Sequence, residues 1–532
     1  MKKLLIFFLI IVPLYLSGQS NPPKEEIRGA WIATVSNIDW PSNVGSSSSI
    51  IQQQKQQLLF YLDELKATGI NTIYFQIRTT CDALYNSAYE PWSAYLTGNQ
   101  GTPPSDPNYD PLTFAIEECH KRGMELHAWV NPYRALLSSG SVGSLSSQHI
   151  INTHPQWIIK CDGTQYRFLN PGLPQVRNYV TNVCMDIVNN YDIDGLHMDD
   201  YFYPYSSYGT YNDDTTFANH PNGFTVKSSW RKNNVNMLLR QIYDSLLIVK
   251  PHVKFSISPG GNPMNFGDVY IDPAAWLAGT YTDESGTYHD GDPYIDVIIP
   301  QIYWYDYWWN YAMNYWNDAS LLNGRDFYVG TAAYRLGDSG WPATALGEQI
   351  NDCRSKPLIK GNVYFSAKSI TNNIAGCKDT LRNNYYKFEA IPYVMDWKDI
   401  LEPNQPENVR YERIPGTNVS YIIWDTPLPS MDGDTAARYV IYRFNNSSIV
   451  PGDLDDATKI IGVQGLKEIN PEPSDTGSNT RYFVVTSLDR NANESVMSNV
   501  LTLNSPDEPI LVYPQNLAYD QPDTIICLWS LT

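Results

Sequence analysis

Between residues 27 and about 390, short segments rich in β-branched and aromatic residues alternate with longer amphipathic segments. This alternation constrains the fold more than any other feature, because it is typical of repeated βα units. Eight parallel strands with eight crossovers favour an α/β fold closed into a (β/α)8 barrel of the TIM type. No GxGxxG motif follows the first strand, which disfavours a dinucleotide-binding sheet. The predicted strands cover residues 27–35, 71–77, 124–130, 193–199, 253–258, 295–302, 327–331 and 362–365.

The segment Pro403-Asn404-Gln405-Pro406 marks a change of pattern. Beyond it helical periodicity ends, and turn-rich segments separate short strands, as in a small all-β sandwich. Trp424 and the strand at 439–443 indicate a fibronectin type III character. We therefore expect the barrel over residues 24–395 and the β-sandwich over 405–504, with 505–532 as a C-terminal extension or the start of a further sandwich domain. The predicted sandwich strands are 409–413, 420–424, 438–444, 481–488 and 498–503.

The first twenty residues have the features of a secretory signal peptide. Lys2 and Lys3 precede an apolar segment from Leu4 to Leu16, and small residues follow at positions 17, 18 and 20. The apolar segment is shorter than the roughly 20 residues of a membrane-spanning helix, and no later segment is long and apolar enough to span. We therefore expect an exported protein without a transmembrane segment, located in the periplasm, on the cell surface or outside the cell.

Charge and aromatic content narrow the choice of partner. The formal net charge is −19 and the Lys and Arg residues form no cluster, which disfavours nucleic acid and anionic lipid surfaces. The chain has 39 Tyr and 15 Trp. Aromatic faces stack on sugar rings, so this content favours a carbohydrate partner, although large hydrophobic cores would also use it. The seven cysteines lack a CxxC zinc pattern and predict one or two bridges or buried thiols.

Polar and aromatic residues follow nearly every predicted strand of the barrel. The reactive groups of a barrel lie at the carboxyl ends of its strands, so these residues are the candidates for a site. Gln76 and Ser258 follow strands two and five, and two adjacent acids, Asp199 and Asp200, follow strand four. The predicted substrate-binding residues are Arg78, Asn131, Tyr133, Arg134, Gln301, Tyr303, Trp304 and Tyr334.

Asp199 and Asp200 are the predicted catalytic residues. They lie between an apolar strand and the aromatic segment Tyr201-Phe202-Tyr203-Pro204. Such surroundings desolvate a carboxyl and raise its pKa, as a general acid requires at neutral pH. At an arbitrary position, an Asp at the end of a strand would more often cap a helix or pair with an Arg.

Glycosidic cleavage normally uses two carboxyl groups. Strand seven would often supply the second one, but the segment 330–334 carries no acid. Three alternatives remain open: Asp199 and Asp200 act as a pair, an N-acetyl group of the substrate assists, or an acid from a loop takes part. Gln301 and Tyr303 share one face of their segment and could hold an acetamido group. The candidate loop acids are Asp283, Glu284 and Asp306.

Two histidines, His127 and His197, lie within predicted strands. Histidines in such positions are more often buried and hydrogen-bonded than ligands of a metal. The chain also has no HxH or HExxH motif. Neither a catalytic metal nor another cofactor is therefore expected.

Seven segments of the predicted barrel carry a resemblance to a known family. They are 27–34 (IRGAWIAT), 75–78 (FQIR), 127–134 (HAWVNPYR), 169–172 (LNPG), 194–204 (DGLHMDDYFYP), 300–304 (PQIYW) and 365–368 (FSAK). Over roughly residues 24–395, the chain resembles the glycosyl-hydrolase-like family 10 of bacterial exported proteins. The resemblance implies a barrel and a glycosidase, and some members are linked to peptidoglycan glycan strands.

A more distant resemblance is to the family 18 chitinases, whose fourth strand carries a DGxDxDxE motif. Asp194-Gly195 and Asp199 are in register with that motif, whereas His197 replaces one Asp and Tyr201 takes the position of the acid. Asp200 lies one residue before that position. Its direction therefore depends on where strand four ends.

The sequence favours hydrolysis of a β-linked, N-acetylated cell-wall glycan of the peptidoglycan type. In this hypothesis Asp200 donates a proton to the leaving oxygen, Asp199 orients the acetamido group, and Gln301 and Tyr303 bind the sugar. One alternative is a glycosidase that acts on a non-acetylated plant or host polysaccharide. Another is a non-catalytic carbohydrate-binding protein of the cell envelope, since a fold does not ensure activity. The β-sandwich is expected to act as a spacer or a docking module.

Overall fold

Eight parallel strands form a closed barrel, which confirms the predicted (β/α)8 architecture. The structure, a computed structural model, describes residues 22–137, 145–413, 420–469 and 480–504, and the backbone of 510–513 and 528–530. The barrel strands are β1 (Ile27–Ile32), β2 (Thr72–Arg78), β3 (Glu125–Val130), β4 (Gly195–Met198), β5 (Lys254–Ile257), β6 (Val297–Ile298), β7 (Asp326–Thr331) and β8 (Ile359–Tyr364). They pair in chain order, and β1 closes the barrel against β8 with Ile27 opposite Gly361.

Helices cover the outside of the barrel. The main ones are α1 (Ser48–Ala67), α2 (Pro111–Lys121), α3 (Pro174–Asn190), α4 (Lys227–Val249), α5 (Pro273–Ala278), α6 (Tyr307–Trp316), α7 (Ala345–Arg354) and α8 (Ala367–Thr371). Helix α1 begins after Ser47, whose side chain accepts a hydrogen bond from the Ile50 N–H. It ends before Gly69, which takes a positive φ of 91°. Shorter helices cover Ala94–Thr97, Ile150–Thr153, Asp214–Asn219, Phe266–Val269, Ala319–Leu322 and Cys377–Thr380.

Strand β6 is much shorter than predicted. The sequence predicts residues 295–302, whereas only Val297–Ile298 belong to the strand. The cause is Pro300, which has no N–H to donate to the sheet. The Gln301 N–H donates instead to the carbonyl of Pro259 in the neighbouring segment. Pro300 thus interrupts the strand, and Gln301 pairs again in isolated parallel bridges with Gly260 and Gly330.

Residues 407–413, 420–469 and 480–503 form two antiparallel sheets beyond the barrel. Their strands are β9 (Glu407–Arg413), β10 (Ser420–Asp425), β11 (Arg438–Phe444), β12 (Ile460–Gln464), β13 (Glu468–Ile469), β14 (Arg481–Leu488) and β15 (Leu501–Leu503). The order is β9-β10-β13 in one sheet and β12-β11-β14-β15 in the other. Ile422 and Trp424 of the first sheet share a buried cluster with Ile441, Phe483 and Val485 of the second. Their assignment to the fibronectin type III class stays a prediction.

Buried ion pairs join these sheets to the amino-terminal ends of the barrel strands. Glu125, the first residue of β3, accepts hydrogen bonds from Lys254 at 2.6 Å and from Arg438 at 3.0 Å. Burial alone would raise the pKa of Glu125, but the two cations outweigh it and hold the pKa well below its usual range. Asp194, just before β4, pairs with Arg490 at 2.8 Å. The C-terminal sheets thus pack against the end of the barrel opposite to Asp199 and Asp200.

Parts of both chain ends fall outside the described residues. This is true of the predicted signal peptide and of most of residues 505–532, where Ile510–Tyr513 pairs with Leu528–Ser530 in an antiparallel ladder. Within the described part of the chain, no helix combines the length and the apolar character needed to cross a membrane. Six cysteines are buried free thiols: Cys81, Cys119, Cys161, Cys184, Cys353 and Cys377.

Candidate active site

A cavity of about 220 Å³ lies at the carboxyl ends of the barrel strands. This volume is below the roughly 300–1,000 Å³ of typical ligand pockets, so the cavity accommodates about one sugar ring and a longer chain must extend beyond it. Its apolar wall consists of Trp31, Ala33, Val35, Ile38, Trp129 and Phe365. Its polar wall consists of Gln76, Arg134, Asp199, Tyr201, Ser258, Gln301 and Tyr303.

The alternation of β4 directs Asp199 into the cavity. His197 in this strand faces the barrel interior, where Trp31 Nε1 donates to its Nε2 at 3.0 Å. The Nδ1 of His197 lies 2.8 Å from the Ser256 Oγ, and burial lowers the pKa of the imidazole well below its usual value. His197 is therefore neutral and supports the Trp31 ring. Asp199 follows two residues later and lies on the same side.

Three N–H groups hold the Asp199 carboxyl. Trp129 Nε1 donates to Oδ2 at 3.2 Å, Asn131 Nδ2 donates to the same oxygen, and the Tyr201 N–H lies 3.3 Å from Oδ1. Burial raises the pKa of Asp199 to about 7, and the neighbouring Asp200 carboxyl adds to the rise. Asp199 therefore exchanges its proton in the neutral pH range.

Asp200 lies beyond the end of β4, because that strand stops at Met198. The Tyr205 hydroxyl donates to the Oδ2 of Asp200, and the Gln301 side chain is also hydrogen-bonded to this carboxyl. Burial raises the pKa of Asp200, and the two hydrogen bonds oppose the rise. The loop after the strand thus turns Asp200 toward Gln301, a direction that the sequence leaves open. Gln301 lines the cavity, whereas Asp200 itself is not among the lining residues.

A buried network orients the Asn131 amide. Its Oδ1 accepts hydrogen bonds from Gln76 Nε2 at 2.7 Å and from the Arg134 guanidinium at 2.9 Å. The Gln76 Oε1 in turn accepts from two backbone N–H groups that follow β1, both at 2.9 Å. Because its oxygen is occupied by these donors, Asn131 presents its NH2 group to Asp199. Arg134 also lies over the Tyr201 ring, 4.6 Å from its centroid.

Arg78 and Tyr133 lie outside the cavity, although the sequence predicts both as substrate-binding residues. The Arg78 side chain is fully buried, pairs with Glu90 at 2.6 Å and donates to the Pro132 carbonyl at 3.1 Å. Tyr133 is buried in the core, and its hydroxyl has no partner among the described residues. Both side chains therefore support the segment that follows β3, and neither is placed to contact a sugar.

The residues after β6 contribute to the polar wall of the cavity. Gln301 and Tyr303 line the cavity. The Tyr303 ring packs edge-on against Tyr334, with centroids 6.2 Å apart, and Tyr334 is 47% exposed at the rim. Trp304 does not line the cavity. It packs over Gly261, and a Cβ added to this glycine would lie 2.9 Å from the Trp304 ring. Trp304 is therefore a supporting residue of this wall.

Several aromatic residues of the site escape the sequence-based prediction. Trp31 and Trp129 lie on β1 and β3, and the alternation that identifies Asp199 would have identified them as well. Phe365 follows β8, and its contact with Trp31, at 6.3 Å between centroids, depends on closure of the barrel. Tyr205 comes from a loop and has no sequence signal that would place it beside a carboxyl.

The loop acids considered as alternative catalytic groups are engaged elsewhere. Glu284 pairs with Arg177 at 2.7 Å, Asp306 accepts from the Trp308 N–H at the start of α6, and Asp283 accepts from residues of its own hairpin. None of the three lines the cavity. In the part of the chain that the structure describes, the carboxylates close enough to share a cation are Asp399, Asp434 and Asp489, and they lie outside the cavity as well.

A closed parallel barrel with two buried carboxyls at the carboxyl ends of its strands is an arrangement compatible with a glycoside hydrolase. The chain belongs to the family described as Glycosyl hydrolase-like 10, whose model matches residues 26–338.

Two relatives show how far the similarity extends. The protein named Glycosyl hydrolase YngK of Bacillus subtilis (strain 168) is 35% identical over 526 residues, which are 93% of this chain and 96% of that protein. The protein named Glycosyl hydrolase DigH of Escherichia coli (strain K12) is 34% identical over 399 residues, which are 66% of this chain and 85% of that protein.

Solved structures give a weaker comparison. The glycoside hydrolase domain of PgaB (BpsB) from Bordetella bronchiseptica superposes with a TM-score of 0.42 at 12% identity. The superposition covers 68% of this chain and 98% of that domain. Similarity at this level carries no conclusion about this chain.

Proposed function

We propose that the protein hydrolyses a β-linked, N-acetylated glycan of the peptidoglycan type. The observation that carries the proposal is Asp199, the one acid among the described residues that line the small cavity, with Asp200 beside it and hydrogen-bonded to the lining residue Gln301. A glycosidase without a separate carboxylate nucleophile needs another nucleophile, and the acetamido group of an N-acetylated sugar supplies one. Membership of a glycosyl hydrolase-like family supports glycosidase chemistry at this site.

Asp200 is the proposed general acid. Burial keeps its pKa raised, and Tyr205 and Gln301 hold the carboxyl in place. Asp200 gives its proton to the glycosidic oxygen while the acetamido oxygen forms a bond to the anomeric carbon. The bond between that carbon and the glycosidic oxygen breaks in the same step. Water then attacks the anomeric carbon, releases the acetamido oxygen and returns a proton to Asp200.

Asp199 is the proposed group that orients the acetamido. Its Oδ2 is occupied by Trp129 and Asn131, whereas Oδ1 has a single N–H at 3.3 Å and can accept the acetamido N–H. An acceptor there turns the acetamido oxygen toward the anomeric carbon. Ionised Asp199 also stabilises the positive charge that develops on the acetamido group during the first step. Tyr303 and Gln301, which share the polar wall with Asp199, bind polar groups of the same sugar.

We also propose that the protein acts outside the cytoplasm. The support is the N-terminal sequence, where Lys2 and Lys3 precede an apolar segment and small residues, as in a signal peptide. A cell-wall glycan lies on that side of the membrane. The N-terminal sequence of the protein recovered from fractionated cells tests this point, because export predicts loss of about the first twenty residues.

Hydrolysis of peptidoglycan glycan strands freed of their stem peptides tests the proposed activity. We expect the wild-type protein to release short oligosaccharides, and Asp200→Asn to reduce the rate by about 100-fold or more, since general acid catalysis contributes at least that much. Asp199→Asn should reduce it similarly. Asp283→Asn is the matched control, because Asp283 lies outside the cavity, and it should keep the wild-type rate.

Glucose polymers of the same linkage are the comparison substrate, and they should not be cleaved because they lack the acetamido group. Cleavage of both polymers at similar rates would favour a glycosidase that uses a different nucleophile. Release that is unchanged in both Asp variants would show that the assignment of the site is wrong. Binding of the glycan without turnover would identify a carbohydrate-binding protein.

A further inference from the structure

Helix α6 carries more aromatic residues than its packing requires. Six of its ten residues are Tyr or Trp. Trp309 and Trp316 are buried in the core, and they account for the packing of the helix on the barrel. Tyr307, Trp308 and Tyr311 are not part of that core: Tyr307 is 69% exposed, and Trp308 and Tyr311 are partly buried. A contiguous group of aromatic side chains that reaches the surface often marks a binding site.

These three residues form one connected surface, which we call the α6 aromatic surface. The Trp308 ring meets Tyr307 and Tyr311 edge-on, with centroids 5.4 Å and 5.7 Å apart. Tyr307 and Tyr311 lie one helical turn apart, with centroids at 6.3 Å and ring planes within 27° of parallel. The mutual contacts hold the rings in place, so the surface is preorganised.

The α6 aromatic surface is continuous with the cavity wall along the chain. Tyr303 lines the cavity, and Tyr305 packs against Trp341 with centroids 6.0 Å apart. Helix α6 begins at Tyr307, four residues after Tyr303. Four residues span at most about 14 Å, so the surface begins close to the mouth of the cavity.

We propose that the α6 aromatic surface binds further sugar residues of the glycan chain that has one residue in the cavity. This inference rests on the proposed function. The cavity accommodates about one sugar ring, so a polymer needs a second binding surface outside it. A Tyr or Trp ring combines a flat apolar face with a polar edge, which matches a sugar ring in the same way.

The composition of α6 favours a neutral glycan over other partners. The helix has no Lys or Arg, which an anionic lipid surface would require. Its exposed residues besides the aromatic ones are Asn310 and Asn314, and amide groups bond well to sugar hydroxyls. Its aliphatic residues, Ala312 and Met313, are both buried, whereas a hydrophobic protein interface would expose such side chains. The protein is therefore expected to prefer long chains over short ones.

Binding of N-acetylglucosamine oligomers of graded length, measured by calorimetry, tests this inference. The quantity of interest is the ratio of the affinities for a long and a short oligomer. We expect Tyr307→Ala to lower this ratio by about 2-fold to 12-fold, the range that one stacked ring contributes. Tyr307→Phe keeps the ring and should keep the ratio. Phe60→Ala is the control, because Phe60 is a 52% exposed aromatic residue on α1, and it should also keep the ratio.

Three outcomes would overturn the inference, and they can be told apart. An unchanged ratio in Tyr307→Ala would show that the α6 aromatic surface does not bind the chain. An equal loss of affinity for long and short oligomers would show that Tyr307 acts through the cavity. Failure of the wild-type protein to bind any oligomer would remove the proposed function as well, whereas the first two outcomes leave it intact.

Discussion

Replacement of Asp199 by Asn should change how the stability of the protein depends on pH. In the folded protein, burial raises the pKa of Asp199 from 3.8 to about 7. Between these two values the folded state holds a proton that the unfolded chain has lost. The contribution of Asp199 to the folding stability therefore decreases as the pH rises through this range, and it does not change further above it. The whole range corresponds to on the order of 4 kcal/mol, because each pKa unit is worth about 1.4 kcal/mol.

Denaturant unfolding of both proteins at several pH values from about 5 to about 8 measures this effect. The Asp199→Asn side chain does not titrate, so the difference in unfolding free energy should move in favour of the variant by on the order of 3 kcal/mol across that range. Asp326 and Asp489, whose pKa values burial also raises to about 6, are present in both proteins and cancel in the difference. A difference that is independent of pH would refute the raised pKa of Asp199.

Tyr205→Phe should raise the pKa of Asp200 further, since the lost hydrogen bond opposes the effect of burial. The alkaline limb of the hydrolysis profile should then move to higher pH, and an unmoved limb would speak against Asp200 as the acid. Arg78→Met should lower the free energy of unfolding by about 3–5 kcal/mol, because Glu90 stays buried without its cation. Adding Glu90→Leu should recover most of that loss in the same unfolding assay, and no recovery would contradict the pairing. Ser258→Ala should leave the stability unchanged or raise it by up to about 1 kcal/mol, because its buried Oγ has no partner among the described residues. A clear loss of stability would show that this hydroxyl is bonded.

The barrel could be predicted from the sequence because its signal is periodic and repeated. Each strand and each helix shows its own spacing of apolar residues, and eight repeats make the closed topology clear. The boundaries were less predictable, as β6 shows, since the effect of Pro300 depends on the hydrogen bonds of its neighbours. The strand β12 was missed because it has five residues, among them Gly462, and therefore only a weak pattern.

The candidate site was likewise predictable only where the signal in the sequence is local. Asp199 follows from the alternation of one strand, which is local information. The direction of Asp200 depends on a loop and on Tyr205, and neither has a periodic signal. Arg78 lies at the carboxyl end of β2, as a substrate-binding residue would, but its partner Glu90 lies twelve residues away on a loop. A sequence pattern cannot distinguish an Arg that binds a ligand from one that forms an ion pair with a buried carboxylate.

A crystal structure of the Asp200→Asn variant with a bound N-acetylglucosamine oligomer tests the central claim most directly. We expect one sugar ring in the cavity, with its glycosidic oxygen about 3 Å from the side chain at position 200. The acetamido group of that ring should lie against Asp199 and Tyr303. A sugar bound with its acetamido group turned away from Asp199, or with every glycosidic oxygen out of reach of position 200, would contradict the account.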